Sequence, residues 1–382
     1  MRERARVRTR EEENSHSLGK LKQERITVPR GEGLLNRALE LLREHAPRKA
    51  TLEITFVGEE GHGSGVTAEF YSLISEALQD PTLALWISEG PSGALFPAPA
   101  PQDLPAVDAR LQYYGLVGIL LGKALLDGRL LTLPLSEALF KLITGKVLSP
   151  PDLALIAPSR ARHLSALVSA PETAADFALT FEFAPPDVGH GFTSHELVPS
   201  GSAKEVLPEN VHEYVDAMTE FMLARGVARQ VNAIFVGLSS VMPLSALRVL
   251  TAAELRARVV GETKVEWSLE DLQDNVEARH GYTESSPPFV LLLEVLSSLP
   301  EPRRRDFLRF STGVGGLPCG GLRQLDPKLT VVRKVCEDPD NHYPSANTCF
   351  HFLKLPEYSS RQRLEEQLLT ALNAGMDGFF FN

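Results

Sequence analysis

One cysteine, Cys349, lies in a sequence context that could support nucleophilic chemistry. Pro344 and Ser345 predict a turn before it, and an alternating apolar segment follows, so the thiol is expected where a loop enters a strand. Asn347 and Thr348 can hydrogen-bond a thiolate or a thioester carbonyl. Because an unperturbed thiol titrates at about pH 8.5, modest stabilisation of the anion provides thiolate at neutral pH. Such a thiol can take an acyl group from another thioester and keep it activated toward an amine.

The same cysteine has a simpler interpretation, because a lone cysteine in an apolar strand is usually a small buried hydrophobic residue. We adopt that structural interpretation for the other two cysteines. Cys319 lies in a glycine-rich turn, and Cys336 ends a predicted strand. Three cysteines in 382 residues argue against a disulfide framework and favour a reducing compartment, the cytoplasm or the nucleus.

The composition is that of an ordinary globular protein, 43% hydrophobic with a net charge of -10. This charge argues against the domain-wide basic field of a nucleic-acid-binding protein. The most apolar run, Leu116–Leu126, contains Lys123 and is shorter than the roughly 20 residues that span a bilayer. It therefore predicts a buried helix, and no membrane span is expected.

The first residues, Met1–Glu13, are mostly arginine and glutamate and lack the apolar centre of a secretory signal. We expect residues 1–30 to form a charged, disordered extension. A buried core helix and a charged extension both fit a protein whose functional residues lie further along the chain.

Hydrophobic periodicity divides the rest of the sequence into a mostly helical part up to residue 260 and a compact mixed part after residue 263. Helical spacing is predicted over Leu34–His45, Asp108–Gly128, Leu135–Gly145, Asn210–Arg225, Ala252–Val260, Leu269–Ala278 and Phe289–Leu296, and for a last helix that ends at Gly375. Strands are predicted over Leu52–Phe56, Phe177–Phe183, Leu329–Val335 and Thr348–Leu355. The fold class expected is α+β, with Gly261, Glu262 and Thr263 as a hinge between the two parts.

Several blocks in the chain occur in the order of a known family. They are Leu52–Phe70, Leu116–Pro134, the Phe-Leu-x-Phe-x-Thr-Gly match Phe307–Gly313, and Thr348-Cys349 followed by the Leu-x-Leu-Pro-x-Tyr run Leu353–Tyr358. The chain resembles the HECT family of ubiquitin ligases from about Leu34 to Asn382. Gly281–Thr283 and Leu329–Lys334 are similar to the branch that contains thyroid-receptor interactors and plant ligases.

The resemblance implies a bilobal fold and a two-step transfer of ubiquitin. Residues 31–260 would form the lobe on which a ubiquitin-conjugating enzyme docks, and residues 264–382 the lobe with the catalytic cysteine. Ubiquitin would pass from the conjugating enzyme to Cys349 as a thioester and then to a lysine of a protein substrate. The family implies no cofactor and no metal.

The resemblance also assigns individual residues. Phe379, four from the C-terminus, matches the phenylalanine with which the family orients the reacting partners. An apolar groove for the conjugating enzyme would include Leu164, Leu167, Phe177 and Tyr214. Many members have histidine where this chain has Asn347, so imidazole catalysis is absent at that position. As bases for the incoming lysine, only Glu357 and Asp377 can be suggested, from their nearness in sequence.

Other functions have weaker support in the sequence. A cysteine hydrolase would need a histidine near Cys349, and His351 is expected on the same face of the predicted strand, side by side with the cysteine. A HECT-like binding module without transfer activity is the non-enzymatic alternative, and Thr348-Cys349 and Phe379 argue against it. A dinucleotide-binding loop is rejected because Val66 stands where the glycine pattern that begins at Gly61 would need another glycine. Zinc binding would need less irregular spacing than that of Cys336, His342, Cys349 and His351.

Overall fold

The computed structural model describes residues 22–31, 33–48, 50–59, 63–89, 93–186, 189–262, 264–348 and 350–376. The predicted residues Thr263, Cys349, Asp377 and Phe379 lie outside these ranges. The helices are α1 Leu34–His45, α2 Ser64–Ala77, α3 Pro105–Asp127, α4 Glu137–Ile143, α5 Pro158–Ser169, α6 Val211–Leu223, α7 Ala228–Val241, α8 Leu244–Leu247, α9 Ala252–Val260, α10 Leu269–Asn275, α11 Pro287–Ser298, α12 Glu301–Thr312 and α13 Arg361–Met376. The strands are β1 Lys22–Val28, β2 Ala50–Phe56, β3 Trp86–Ile87, β4 Phe96–Pro97, β5 Glu182–Phe183, β6 His195–Glu196, β7 Glu277–Arg279, β8 Thr330–Arg333, β9 Ser345–Asn347 and β10 Phe352–Leu355.

This mixture of helix and sheet confirms the α+β class. Buried hydrophobic side chains form two separate clusters, which we call the first core, within residues 26–259, and the second core, within residues 265–372. The division falls where the sequence predicted a hinge. No helix among the described residues is both long and apolar enough to cross a bilayer.

The first core begins with a pair of parallel strands, β1 and β2, in which Ile26 pairs with Ile54 and Val28 with Phe56. All four side chains are buried, because alternate residues of a strand point to the same face. The extension predicted over residues 1–30 is therefore wrong for Lys22–Val28. The charged residues of this segment hid the apolar alternation of its last positions.

The long helix α3 forms the centre of the first core and confirms the predicted buried helix. Pro105 is compatible with its first turn, and Gly128 ends it in the left-handed conformation with a φ of 65°. Its Lys123 is fully buried, and the Nζ atom donates to the carbonyl oxygens of Arg48, at 2.9 Å, and Ala50, at 3.3 Å. Burial lowers the pKa of this amine. The buried lysine thus fixes α3 to the chain that enters β2.

Helix α3 also packs closely against α7 through glycines. A Cβ atom on Gly118 would lie 2.0 Å from the carbonyl oxygen of Ile234, and one on Gly237 would lie 2.0 Å from that of Gly115. Real Cβ atoms do not approach backbone oxygens so closely. The contact between α3 and α7 therefore needs glycine at both positions.

The second core contains a four-stranded sheet in the order β7-β8-β10-β9. Strands β7, β8 and β10 are parallel, and β9 is antiparallel to β10. Helices α10 to α13 and the segments between the elements supply the other apolar side chains. Leu364, Leu368, Ala371 and Leu372, the predicted inner face of α13, are all buried.

Two predicted strands are longer than the observed ones, and their first parts are wrong. Over Phe177–Phe183, a 3-10 helix ends at Phe177 and Ala178 has a φ of 47°, so only Glu182–Phe183 is a strand. Over Thr348–Leu355, the strand begins at Phe352, because the preceding residues form a turn. In both segments a positive φ at a residue other than glycine interrupts the alternating pattern.

The segment after α9 is packed against the second core. The backbone N–H of Glu262 donates to the carbonyl oxygen of Leu317 at 2.7 Å. Gly261 has a φ of 94°, and a Cβ atom there would lie 3.0 Å from the carbonyl carbon of Gly316. The predicted hinge is thus held, in this arrangement, by backbone contacts that leave no space for a side chain.

We expect Gly261→Ala to lower the free energy of unfolding by about 1–3 kcal/mol, because alanine is strained at this φ and would also contact Gly316. Urea denaturation measures the loss. Gly128→Ala is the matched control, since its φ is also positive but its Cβ would have nothing within 4 Å, and its cost should be about 1 kcal/mol. Equal losses in the two variants would contradict the tight contact.

Candidate active site

The site forms at a hairpin at the edge of the second core. Strands β9 and β10 pair antiparallel, with Asn347 opposite Phe352 and Ala346 opposite Leu353. Residues Thr348–His351, which we call the signature turn, connect them. Cys349, the predicted nucleophile, belongs to this segment by sequence, and the residues on either side of it are described.

Asn347 shapes the turn through its side chain. Its Oδ1 atom accepts a hydrogen bond from the backbone N–H of Phe350 at 3.2 Å. An Asn side chain that bonds the backbone a few residues further on stabilises a tight turn. Asn347 is therefore a turn-forming residue, and its hydrogen bond joins residues on the two sides of position 349.

His351 ends the signature turn and differs from its predicted placement. The structure puts it in the left-handed region, with a φ of 52°, and buries its side chain, which is 8% exposed. The Nδ1 atom donates to the carbonyl oxygen of Pro327, because a carbonyl can only accept. Burial lowers the pKa of the imidazole and so favours its neutral form. The strand geometry assumed for the hydrolase alternative, with His351 beside Cys349 on one face, is therefore wrong.

A cavity of about 60 Å³ adjoins the signature turn and is lined by both parts of the chain. Gly128, Arg129 and Thr132 come from the segment after α3, whereas Thr348 and His351 come from the turn. Gly313 lies close by: a Cβ atom there would be 3.4 Å from Thr132 Cγ2 and 3.6 Å from Thr348 Cβ. The turn thus faces the junction between the two cores.

An aromatic pair borders the turn on its other side. Phe350 is 40% exposed, and its ring centroid lies 6.0 Å from that of Phe352. An exposed phenylalanine next to the predicted nucleophile offers apolar surface that a polypeptide could contact.

The candidate base Glu357 and the two other cysteines each interact with groups outside the signature turn. Glu357 forms an ion pair with Arg333 at 2.5 Å. Cys319 is exposed, yet partial desolvation and the neighbouring Glu262 carboxylate raise the pKa of its thiol. Cys336 donates to the carbonyl oxygen of Lys334 at 3.7 Å. A raised thiol pKa disfavours the nucleophilic thiolate at Cys319.

The two histidines of the rejected zinc site, His342 and His351, also have separate hydrogen-bond partners. His342 bonds the carbonyl oxygen of Asp338 at 2.7 Å through Nδ1, and His351 bonds Pro327. Within the described ranges, no group of three His, Cys, Asp or Glu side chains is arranged to hold a metal ion.

Three of the four predicted groove residues are buried in the first core, and the fourth is exposed. Leu164 and Leu167 on α5 are 4% and 1% exposed, and Tyr214 on α6 is 6% exposed. Phe177 is 52% exposed, and its ring lies 5.4 Å from that of His163. Of the four, only Phe177 offers a large apolar surface to a partner.

Sequence patterns missed the cavity-lining residues Arg129, Thr132 and Asp326. They lie in two loops, one after α3 and one before β8, that periodicity cannot bring together. The sequence signal that could have directed attention to them is the end of α3 at Gly128, which turns the chain toward the second core.

Comparisons with known proteins identify the same family as the sequence motifs. The family model of the HECT-domain (ubiquitin-transferase) matches residues 72–382. The E3 ubiquitin-protein ligase hecd-1 of Caenorhabditis elegans is 35% identical and covers 97% of this chain, which spans 17% of that protein. The ligases UPL4 of Arabidopsis thaliana and TRIP12 of Danio rerio are 34% and 32% identical over 91% and 96% of the chain, which spans 25% and 20% of their lengths. This chain therefore belongs to the HECT-domain family.

Proposed function

We propose that this chain is the catalytic part of a HECT-type E3 ubiquitin ligase. It takes ubiquitin from a conjugating enzyme as a thioester on Cys349 and passes it to a lysine of a protein substrate. The observation that best supports this proposal is the signature turn, which Asn347 stabilises and which borders a cavity lined by both parts of the chain. A nucleophile that must receive an acyl group from a protein docked on one part and deliver it to a substrate needs a place at such a junction.

Both steps are acyl transfers. The Cys349 thiolate attacks the carbonyl of the conjugating enzyme's thioester, a new C–S bond forms, and the conjugating enzyme's thiolate leaves. A substrate amine then attacks the new thioester, an isopeptide bond forms, Cys349 leaves as thiolate, and the amine loses a proton. Neither step changes an oxidation state, and neither requires a cofactor.

The partners follow from the same proposal. The conjugating enzyme docks on residues 31–260, where Phe177 is the exposed apolar contact and Leu164, Leu167 and Tyr214 are buried. Residues 264–382 carry Cys349, and rotation about Gly261, Glu262 and Thr263 brings the two together. Phe379 orients the reacting partners. The cysteine content favours the cytoplasm or the nucleus as the place of action.

A thioester trap tests the proposal. Conjugating enzyme charged with ubiquitin is mixed with the chain, and the products are separated with and without reducing agent. We expect a ubiquitin adduct that reducing agent removes and that Cys349→Ala abolishes. Cys319→Ala is the matched control, because that cysteine is exposed but its surroundings disfavour a thiolate, and it should leave the adduct unchanged.

The same trap separates the alternatives. Release of free ubiquitin that depends on Cys349, with no adduct accumulating because water cleaves the thioester, would support a cysteine hydrolase. Absence of both adduct and release, with ubiquitin or conjugating enzyme still bound, would support a binding module. An adduct that survives in Cys349→Ala would refute the assignment of the nucleophile.

A further inference from the structure

His351 is the buried residue among the described members of the signature turn; Thr348 is half-buried and Phe350 is exposed. It also follows Cys349 by only two positions in the sequence. The turn therefore combines an open side, where a partner can approach, with one side chain that reaches into the protein.

Two hydrogen bonds fix His351 to one segment of chain. Its Nδ1 atom donates to the carbonyl oxygen of Pro327, and its own carbonyl oxygen accepts from the backbone N–H of Thr330 at 2.9 Å. That segment leads directly into β8, the neighbour of β10, and Leu329 and Val331 within it are buried in the second core. The end of the turn is thus bound to a rigid part of the sheet.

The backbone of His351 restricts which residues can take its place. A φ of 52° lies in the left-handed region, which glycine, asparagine, aspartate and histidine adopt more readily than other residues. Of these, histidine and asparagine can also donate a side-chain hydrogen bond to a nearby carbonyl. The position requires both properties together.

We infer that His351 is a positioning residue for the transfer reaction: it fixes the end of the signature turn to Pro327 and Thr330, and so restrains the described residues that flank the predicted nucleophile. The inference rests on the proposed function. It assigns no proton transfer to the imidazole, whose Nδ1 is engaged by Pro327.

The effect should fall on the reaction more than on folding. His351 is not a member of the second hydrophobic core, so truncating it leaves the apolar packing in place. It lines the cavity opposite Arg129 and Thr132, so a shift of the turn changes where position 349 lies relative to the first core. A displacement of about 1 Å between reacting groups can slow a reaction by about 10²-fold.

The test is the single-turnover rate of ubiquitin transfer from a charged conjugating enzyme to Cys349, measured at several concentrations of that enzyme. We expect His351→Ala to lower the maximal rate by about 10–100-fold, with the half-saturating concentration unchanged. His351→Asn should remain within about threefold of wild type, because asparagine tolerates the left-handed φ and can donate to Pro327. His351→Gly, which restores the φ but not the donor, should fall between them.

His280→Ala is the matched control. His280 has a φ of 48° and lies in the same part of the chain, but it is exposed. The His280→Ala variant should leave the transfer rate unchanged, although, like His351→Ala, it removes a histidine side chain from a left-handed backbone position.

Each outcome bears on the inference. A wild-type rate in a folded His351→Ala protein would overturn it, and so would an equal loss in His351→Ala and His351→Asn. Should His351→Ala fail to fold, the comparison of His351→Gly with His351→Asn decides the question, because both accommodate the backbone. Failure of the proposed function would appear separately, as a Cys349→Ala variant that still forms the adduct.

Discussion

Cys349→Ser should reduce ubiquitination of substrates by at least about 10³-fold and leave an adduct that reducing agent does not remove. A serine hydroxyl has nearly the size of the thiol but is not ionised at neutral pH, so it is a far weaker nucleophile without a base. Asn347 carries an amide, which is not a base, and the imidazole of His351 is buried and fixed to Pro327 through Nδ1. Any oxyester that forms should persist, because an oxyester is less activated toward amines than a thioester.

The measurement is a gel of the charged chain treated with reducing agent or with hydroxide. The Cys349→Ser adduct should resist the first treatment and disappear with the second, whereas the wild-type adduct should disappear with both. Cys336→Ser is the control, since its thiol is half-buried and donates to Lys334, and it should behave as wild type. Normal substrate ubiquitination by Cys349→Ser would exclude the thioester route.

Gly237→Ala should lower the free energy of unfolding by about 3 kcal/mol or more. Its Cβ would lie 2.0 Å from the carbonyl oxygen of Gly115, an atom of the α3 backbone that cannot rotate away. Helices α3 and α7 would have to separate, and the apolar residues between them would lose contacts. Urea denaturation followed by far-ultraviolet circular dichroism measures the change.

Gly115→Ala is the matched control because it lies in the same helix pair. Its Cβ would have only one neighbour, the carbonyl oxygen of Ala233 at 3.8 Å, which is an ordinary contact. Since alanine favours the helix over glycine by about 1 kcal/mol, this variant should be neutral or slightly more stable. A loss of similar size in both variants would mean that helix contact is not the cause.

Individual helices and strands could be predicted from the sequence where local signals agreed. Helix Ala252–Val260 has the predicted bounds because Thr251 and Glu254 form a capping box at its start and Gly261 follows its end. Strand β2 was recognised from the alternation of Leu52, Ile54 and Phe56. These signals are contained within a few residues and do not depend on the rest of the chain.

The signature turn could not be predicted in the same way. The alternation over Thr348–Leu355 indicated a strand, but the Asn347 side chain and the left-handed φ of His351 reverse the chain before β10 begins. Both effects depend on contacts with Phe350, Pro327 and Thr330, and the latter two are distant in sequence. The motif could identify Cys349 as a candidate nucleophile without revealing the conformation around it.

The groove residues show a second limit of sequence patterns. Apolar residues at helical spacing, such as Leu164, Leu167 and Tyr214, have the same pattern whether they face a core or a partner. The structure buries these three and exposes Phe177, which the sequence had placed in a strand. Burial is decided by the other elements that cover a helix, and periodicity does not contain that information.

The pairing of β1 with β2 has a practical consequence for anyone who prepares part of this protein. The family match begins at residue 72, inside α2 and after both strands. A recombinant fragment started there would lose Ile26, Val28, Ile54 and Phe56 and would leave the surface they cover in contact with water. We expect such a fragment to precipitate, and the useful starting point for expression lies upstream of Lys22.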